Sequence, residues 1–246
     1  MKDYFAGRVA QNYDKSSAWM FAPEVVEPTV DFLTDLAGDG AALELAIGTG
    51  RIALPLRQRG VRVAGIDLSP DMVAQLRKKP GAEDIEVTIG DSASATVEGT
   101  FTVAYTVWNS IMNLTTQEAQ VACFRNAARH LAPGGCFVVE VNMPDLQRLP
   151  RGEVFRPFHV GSTHLGFDEY DVANQGLISH HYTLRDGTMK TASTPFRYVW
   201  PAELDLMAQL AGMRLRERWS GGTREPFTSE SERLVACGRS DDRAPD

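Results

Sequence analysis

The sequence predicts an α/β fold in which a doubly wound, mostly parallel sheet carries an antiparallel β elaboration in its C-terminal half. Short apolar runs alternate with amphipathic segments up to about residue 141, and a glycine-rich turn follows the first of these runs. From about residue 145 this rhythm stops, and residues 158–200 are rich in Tyr, Phe, His, Thr and Val. Alternating strands and helices are typical of a parallel sheet with helices on both faces, whereas aromatic and β-branched runs between turns are typical of hairpins.

The first part of the chain predicts five strands separated by helices or loops. Apolar residues in 23–37 recur about one helical turn apart, and the glycines of 38–40 end that helix. Ser69 is a predicted N-cap with Pro70 at the first helical position. The predicted helices are 23–37, 51–59, 71–79 and 116–131, and the predicted strands are 41–47, 61–68, 85–89, 101–108 and 136–141.

The second part predicts hairpins followed by a helix and two strands. Asn174-Gln175-Gly176 and Asp186-Gly187 are turn signals within the aromatic region. We expect a helix over 202–211, strands over 213–219 and 232–237, and a flexible polar tail over 240–246. We therefore predict one domain over 1–239, with the antiparallel insertion at about 145–200 lying as a cap over the ligand crevice.

Composition narrows the functional classes. The 246 residues include 25 Lys plus Arg and 32 Asp plus Glu, so the net charge of −7 disfavours a dedicated nucleic-acid binder. Three scattered cysteines without a C-x-x-C pair give no signal for a metal site and fit a reducing compartment. The sequence has no secretory signal and no run of about 18 apolar residues, so we expect a cytoplasmic protein without a membrane partner.

A glycine turn and a downstream acid form the strongest functional signal. Gly48-Thr49-Gly50 follows the first strand, and Asp67 ends the second. Glycines at that turn allow close approach of a ligand, and an acid at the second strand end can accept hydrogen bonds from ribose hydroxyls. The alternative is that the glycines only form a tight turn and Asp67 only caps a loop. Glu44, inside the first strand, suggests recognition of a cationic group, because a buried acid without a partner is costly.

Two nucleoside-binding interpretations of this turn remain open from the residues alone. The stretch 48–53 also fits G-x-G-x-x-A, the pattern of dinucleotide-binding oxidoreductases, which would bind NAD. Five segments also stand in order along the chain: ELAIGTG (44–50), GID (65–67), GDS (90–92), YTVWNS (105–110) and LAPGG (131–135). Together they resemble the class I S-adenosylmethionine-dependent methyltransferases, especially the bacterial secondary-metabolite and amino-sugar enzymes.

The resemblance implies a set of cofactor-binding residues for S-adenosylmethionine, with S-adenosylhomocysteine as product. Residues 44–50 would bind the amino-acid part of the cofactor. Asp67 would bind the ribose hydroxyls, and Asp91 with Ser92 would contact the adenine. Ala46 stands where many members carry glycine. The full predicted set is Tyr13, Glu44, Ala46, Gly48, Gly50, Asp67, Leu68, Asp91, Ser92 and Val107.

The predicted acceptor site rests on fewer signals. Trp108, Asn109 and Tyr198 are candidate pocket residues, each with core packing or a turn as the plainer alternative. His180 and His181 are candidate general bases, of which at most one would face the pocket, since neighbours in a strand point to opposite faces. The Asn-Pro-Pro-Tyr pattern of amino-group methyltransferases that act on nucleic acids is absent.

The sequence thus predicts methyl transfer to an oxygen or nitrogen of a small-molecule acceptor by in-line displacement. An NAD-type oxidoreductase and a non-enzymatic binding module are the alternatives. A homodimer is possible, and no metal is expected.

Overall fold

A computed structural model describes residues 2–240, which form two sheets and six helices. Of the predicted tail, only Ser240 lies within the described residues. The helices are α1 (Arg8–Ser16), α2 (Pro23–Ala37), α3 (Ala53–Gln58), α4 (Pro70–Leu76), α5 (Gln117–His130) and α6 (Pro201–Leu210). The main-sheet strands are β1 (Ala41–Leu45), β2 (Arg62–Asp67), β3 (Glu86–Ile89), β4 (Phe101–Thr106), β5 (Leu131–Asn142), β10 (Met213–Trp219) and β11 (Arg233–Ser240). The second sheet holds β6 (Phe155–Val160), β7 (His164–Asp171), β8 (Gly176–Arg185) and β9 (Thr188–Arg197).

The main sheet has the order β10-β11-β5-β4-β1-β2-β3. Strands β1 to β5 are parallel, and β11 runs antiparallel to β5. The direction of winding reverses between β1 and β4, so a crevice is expected beyond the carboxyl ends of these two strands. The prediction of a doubly wound, mostly parallel sheet is confirmed.

Two apolar clusters cover the two faces of this sheet. One contains Leu43, Leu45 and Ile66, and the other contains Ala42 and Val63 from the same strands. Successive residues of β1 thus point into opposite cores, as expected for a parallel strand buried on both faces. The helix predicted over 23–37 has those bounds.

Local capping explains where several helices begin. Ser69 Oγ accepts a hydrogen bond from Met72 N at 3.3 Å, and Pro70 opens α4, as predicted. Thr116 Oγ1 caps α5 in the same way, accepting from Ala119 N at 3.1 Å. The largest difference from a predicted boundary is at β5, which begins at Leu131 and not at Cys136. Leu131 pairs with Phe101, and a register shift accommodates the glycines that follow.

The second sheet has the order β6-β7-β8-β9, all antiparallel, with turns at the two predicted places. One end of it is anchored in the main core through Tyr170, Leu177 and Tyr198, which are buried. The predicted single domain over 1–239 stays a prediction. In residues 2–240 no helix is both long and apolar enough to cross a membrane, and the three cysteines are free and buried.

Arg197 ties the second sheet to two helices of the main domain. Its Nη1 donates to Gln120 Oε1 at 2.5 Å and its Nη2 to Glu203 Oε1 at 2.7 Å, while Gln120 Nε2 donates to the Arg197 carbonyl at 3.0 Å. The side chains of Arg197 and Glu203 are only 9% and 13% exposed. Buried polar groups of this kind are costly when one partner is removed.

We expect Arg197→Met to lower the free energy of unfolding by about 2 kcal/mol, because Gln120 and Glu203 each lose a charged hydrogen-bond donor inside the protein. Chemical denaturation measures this change. Arg59→Met is the matched control: its ion pair with Asp31 is exposed, and we expect a change within about 0.5 kcal/mol. Equal losses in the two variants would contradict the role of Arg197.

Candidate functional site

A cavity lies beyond the carboxyl ends of β1, β2 and β4, where the winding reverses. Its floor is the glycine turn after β1, and its sides come from the turns after β2, β3 and β4. Residues of the N-terminal segment, including Phe5 and Tyr13, line it from outside the sheet. The site is therefore assembled from chain segments that are far apart in sequence.

The turn after β1 requires left-handed backbone conformations. Gly48 has φ 57° and Gly50 has φ 79°, which glycine adopts without strain. Ala46 has φ 65°, an unusual value for a residue with a side chain. The Ala46 and Ile47 amides donate to the Ile66 carbonyl at 2.8 and 3.0 Å, which holds the turn against β2.

Asp67 connects this turn to the end of β2. Its Oδ2 accepts from Gly48 N at 2.6 Å and its Oδ1 from Ser69 N at 2.8 Å. Burial raises the pKa of Asp67, and the two amides oppose that effect. Each carboxylate oxygen can still accept a further hydrogen bond, so the side chain can bind ligand hydroxyls at the cavity surface.

Glu44 is a buried carboxyl group at the cavity floor, 4% exposed. Burial raises its pKa to about 8, although the Tyr105 hydroxyl donates to its Oε2 at 3.0 Å. A buried acid with a raised pKa is suited to a cationic ligand group, which favours its ionised form.

Arg51 was not singled out by the sequence, yet it also lines the cavity. Its guanidinium lies 4.8 Å from the Trp108 ring centroid, and its Nη1 donates to the Met20 carbonyl at 3.3 Å. The charge of Arg51 lowers the pKa of Glu44 and Tyr13, although burial dominates and raises both. The floor thus presents an acid and a cation near one another.

The cavity is also lined by residues that follow β2, β3 and β4, namely Leu68, Asp91, Ser92 and Val107. Asp91 Oδ1 accepts from Ala93 N at 2.8 Å, which fixes the turn after β3. The Ser92 carbonyl accepts from Asn126 Nδ2 at 2.9 Å, so α5 supports the same turn.

The N-terminal segment is joined to the glycine turn by polar contacts. Thr49 Oγ1 donates to Asp14 Oδ1 at 2.6 Å, Lys79 pairs with Asp14, and Lys79 Nζ donates to the Thr49 carbonyl at 2.7 Å. Phe5 and Tyr13 meet edge to face, with ring centroids 6.2 Å apart. These contacts hold aromatic side chains over the cavity.

Nine of the ten predicted cofactor residues line this cavity: Tyr13, Glu44, Ala46, Gly48, Asp67, Leu68, Asp91, Ser92 and Val107. Gly50 is the tenth. A Cβ there would lie 2.4 Å from Leu76 Cδ1, so Gly50 allows packing against α4. Gly50 is not among the described residues that line the cavity.

The predicted acceptor residues are only partly brought together. Trp108 lines the cavity, whereas Asn109 lies next to it, where its Oδ1 accepts from Asn142 N at 2.6 Å. Tyr198 is 1% exposed and packs against Tyr170, which makes it a core residue. Its position after the last strand of the second sheet turns it inward.

Neither His180 nor His181 is among the described residues that line the cavity. The two rings point to opposite faces of β8, as expected: His180 Nε2 lies 3.0 Å from Glu169 Oε2, and His181 Nδ1 lies 3.0 Å from His164 Nε2. This placement gives neither imidazole a contact with the cavity. The prediction that one of them is a general base therefore has no support from the geometry.

Comparison with known proteins gives a consistent result. Residues 42–135 match the family described as a methyltransferase domain. The chain is similar to the CcbJ methyltransferase from Streptomyces caelestis, with 31% identity, a TM-score of 0.85, and coverage of 97% of this chain and 98% of that one.

Two further similarities are more distant. The cypemycin N-terminal methyltransferase of a Streptomyces species is 28% identical over 196 residues, which are 78% of this chain and 80% of that protein. CalS10, an amino pentose methyltransferase from Micromonospora echinaspora solved with S-adenosylmethionine, shares the fold at 18% identity and a TM-score of 0.69, covering 98% and 100% of the chains.

Proposed function

The chain belongs to the S-adenosylmethionine-dependent methyltransferases, and we propose that its acceptor is an amine nitrogen of a small molecule. The observation that carries this choice is the composition of the cavity wall. Among the described lining residues there is no histidine, and the wall after β4 is largely apolar, with Trp108, Ile111 and Leu114.

The cofactor is S-adenosylmethionine, which supplies an activated methyl group on a sulfonium when bound. The donor set of the cavity fits this molecule. Glu44 and Arg51 match the ammonium and carboxylate of its amino-acid part, and Asp67 matches the ribose hydroxyls. Asp91 and Ser92 match the adenine. Membership of this family leaves the dinucleotide interpretation of residues 48–53 without support.

The nature of the acceptor atom follows from proton chemistry. A hydroxyl group holds its proton tightly at neutral pH and usually needs a nearby base to become a nucleophile. An amine loses its proton to water at a useful rate and then attacks with its lone pair, so positioning and exclusion of water are sufficient. The names of two relatives agree, since one acts on a peptide N-terminus and the other on an amino pentose.

The test is methyl transfer from labelled S-adenosylmethionine to pairs of small molecules that differ only in an amino or hydroxyl group. We expect transfer to the amino member, with a rate that rises with pH up to the pKa of that amine. Transfer to the hydroxyl member alone would overturn the proposal. Thermal unfolding with S-adenosylhomocysteine or NAD checks the cofactor separately: we expect only S-adenosylhomocysteine to raise the unfolding temperature. A ligand at about 100 times its dissociation constant stabilises a protein by about 2.7 kcal/mol, so the effect is measurable.

We further propose that the chain forms a homodimer through one face of the second sheet. Strand pairing places six exposed apolar side chains on that face: Phe155, Val160, Leu165, Ile178, Leu184 and Met189. Two acids share the face: Glu169 is matched by His180 at 3.0 Å, and Asp171 lies at the end of β7, where Asn174 Nδ2 donates to it at 2.7 Å. Four strands of about nine residues span about 500–600 Å², approaching the roughly 800 Å² per partner of a stable interface.

We expect Leu165→Glu to convert a dimer to a monomer in light scattering coupled to gel filtration, because the new charge would be buried in the interface. Leu206→Glu on α6 is the matched control: Leu206 is an exposed leucine outside that face, and the dimer should persist. A monomer before any substitution would contradict the proposal. The cytoplasmic location expected from the sequence stays a prediction.

A further inference from the structure

The turn after β4 contains two successive non-glycine residues in the left-handed backbone conformation. Trp108 and Asn109 both have left-handed conformations, with φ 56° and 63°, although neither is glycine. Side chains disfavour this region, so two such residues in succession persist only where their surroundings fix them. Trp108 is also the large aromatic of the cavity wall on this side.

Glu140, near the end of β5, supplies the first restraint. Its carboxylate is 4% exposed, and Oε2 accepts from the Trp108 amide at 3.3 Å. The Glu140 carbonyl accepts from Asn109 N at 3.1 Å, and Asn109 Oδ1 in turn accepts from Asn142 N at 2.6 Å. The whole turn is thus hydrogen-bonded to the end of β5.

Arg233, the first residue of β11, supplies the second restraint. Its Nη1 lies 3.3 Å from Glu140 Oε1, which balances the buried charge. The same guanidinium lies 5.1 Å from the centroid of the Trp108 ring, within range of a cation–π interaction. One arginine therefore contacts both the indole and the carboxylate that binds the indole's backbone.

We propose that Glu140 and Arg233 are positioning residues that fix Trp108 as the acceptor-side wall of the cavity. The assignment of this wall to the acceptor rests on the proposed function, whereas the restraint of Trp108 does not. Arg51 also lies over Trp108, at 4.8 Å, but it lines the cavity itself and is proposed to bind the cofactor. Trp19 meets Trp108 edge to face, with ring centroids 5.2 Å apart, which is a contact with the ring. Glu140 and Arg233 together contact both the backbone amide and the ring of Trp108.

The experiment uses the full chain labelled with 5-fluorotryptophan and observed by fluorine NMR. Trp108→Phe assigns the Trp108 resonance. In the double variant Glu140→Gln/Arg233→Gln we expect the Trp108 resonance to shift, while those of Trp200 and Trp219 stay in place. Binding of S-adenosylhomocysteine should stay within about twofold in a calorimetric titration, since neither residue is assigned to the cofactor.

A second variant keeps the test decisive if the double variant does not fold. Arg233→Lys retains a cation that can pair with Glu140 but lacks the planar group that stacks on the indole, so we expect a smaller shift of the Trp108 resonance. Arg218→Gln is the matched control, because Arg218 also joins an acid, Asp205, and lies over a ring, Phe227. The Arg218→Gln variant should leave the Trp108 resonance unshifted.

An unmoved Trp108 resonance in both Arg233 variants would overturn the proposal. So would equal shifts of Trp108, Trp200 and Trp219, which would indicate a general structural loss. Since no acceptor is used, these outcomes are distinguishable from a failure to find amine methylation.

Discussion

Glu44→Gln is expected to weaken S-adenosylhomocysteine binding by roughly 30- to 100-fold above pH 8, or about 2–3 kcal/mol, because a charged hydrogen bond to the ligand ammonium is lost. The pKa of Glu44 is raised to about 8 by burial. Below pH 8 the carboxyl group of the free protein must therefore lose a proton before it can pair with the ammonium. Affinity should fall by up to tenfold per pH unit as the pH is lowered from 8, and the Glu44→Gln variant should lack this dependence. Calorimetric titrations between pH 6 and pH 9 measure both effects.

The matched ligand for this prediction is methylthioadenosine, which keeps the nucleoside and lacks the amino-acid part. Its affinity should be nearly the same for the unaltered chain and for Glu44→Gln, at every pH. If both ligands lost affinity equally, Glu44 would be supporting the glycine turn instead of binding the ammonium.

Asp67→Ala is expected to weaken S-adenosylhomocysteine binding by more than 100-fold, or about 3 kcal/mol, because two charge-assisted hydrogen bonds to the ribose hydroxyls are removed. The same substitution leaves Gly48 N and Ser69 N without their acceptor. We therefore expect an additional loss of about 1 kcal/mol in the stability of the ligand-free protein. Calorimetric titration measures the change in binding free energy, and chemical denaturation measures the change in the free energy of unfolding.

Methylthioadenosine should lose affinity for the Asp67→Ala variant as strongly as S-adenosylhomocysteine does, since both carry the ribose. This pattern is opposite to that expected for Glu44→Gln. Asp71→Ala is the matched control, because the Asp71 carboxylate also accepts from a backbone amide, that of Gly7 at 2.6 Å, at the start of α4. Comparable losses of affinity in the Asp71→Ala variant would argue against a ribose contact.

The place of the cavity, and the residues that meet there, could be predicted from the sequence because they follow from topology. In a parallel sheet the carboxyl ends of β1 and β2 are neighbours, so Gly48 and Asp67 must meet although 19 positions separate them. The spacing of strands along the chain was sufficient for this inference. Arg51 was missed because its contact with Trp108, which follows β4, joins residues far apart in sequence.

The acceptor half could not be predicted to the same degree. The alternation of β8 correctly separated His180 from His181, but it carried no information on where the second sheet lies relative to the cavity. That position is set by long-range contacts such as those of Arg197 with Gln120 and Glu203. The left-handed backbone conformation of Trp108 was also unpredictable, since the Trp108 amide donates to Glu140, a residue of another strand.

The contribution of the N-terminal segment to the cavity has an evolutionary consequence. Lys2, Asp3, Tyr4, Phe5 and Tyr13 line the cavity from one short stretch of chain that belongs to neither sheet. Substitutions there alter the shape of the pocket without disturbing the strands that hold the cofactor. We therefore expect exchange of this stretch between relatives to change which ligands the pocket accepts, in natural divergence and in enzyme engineering alike.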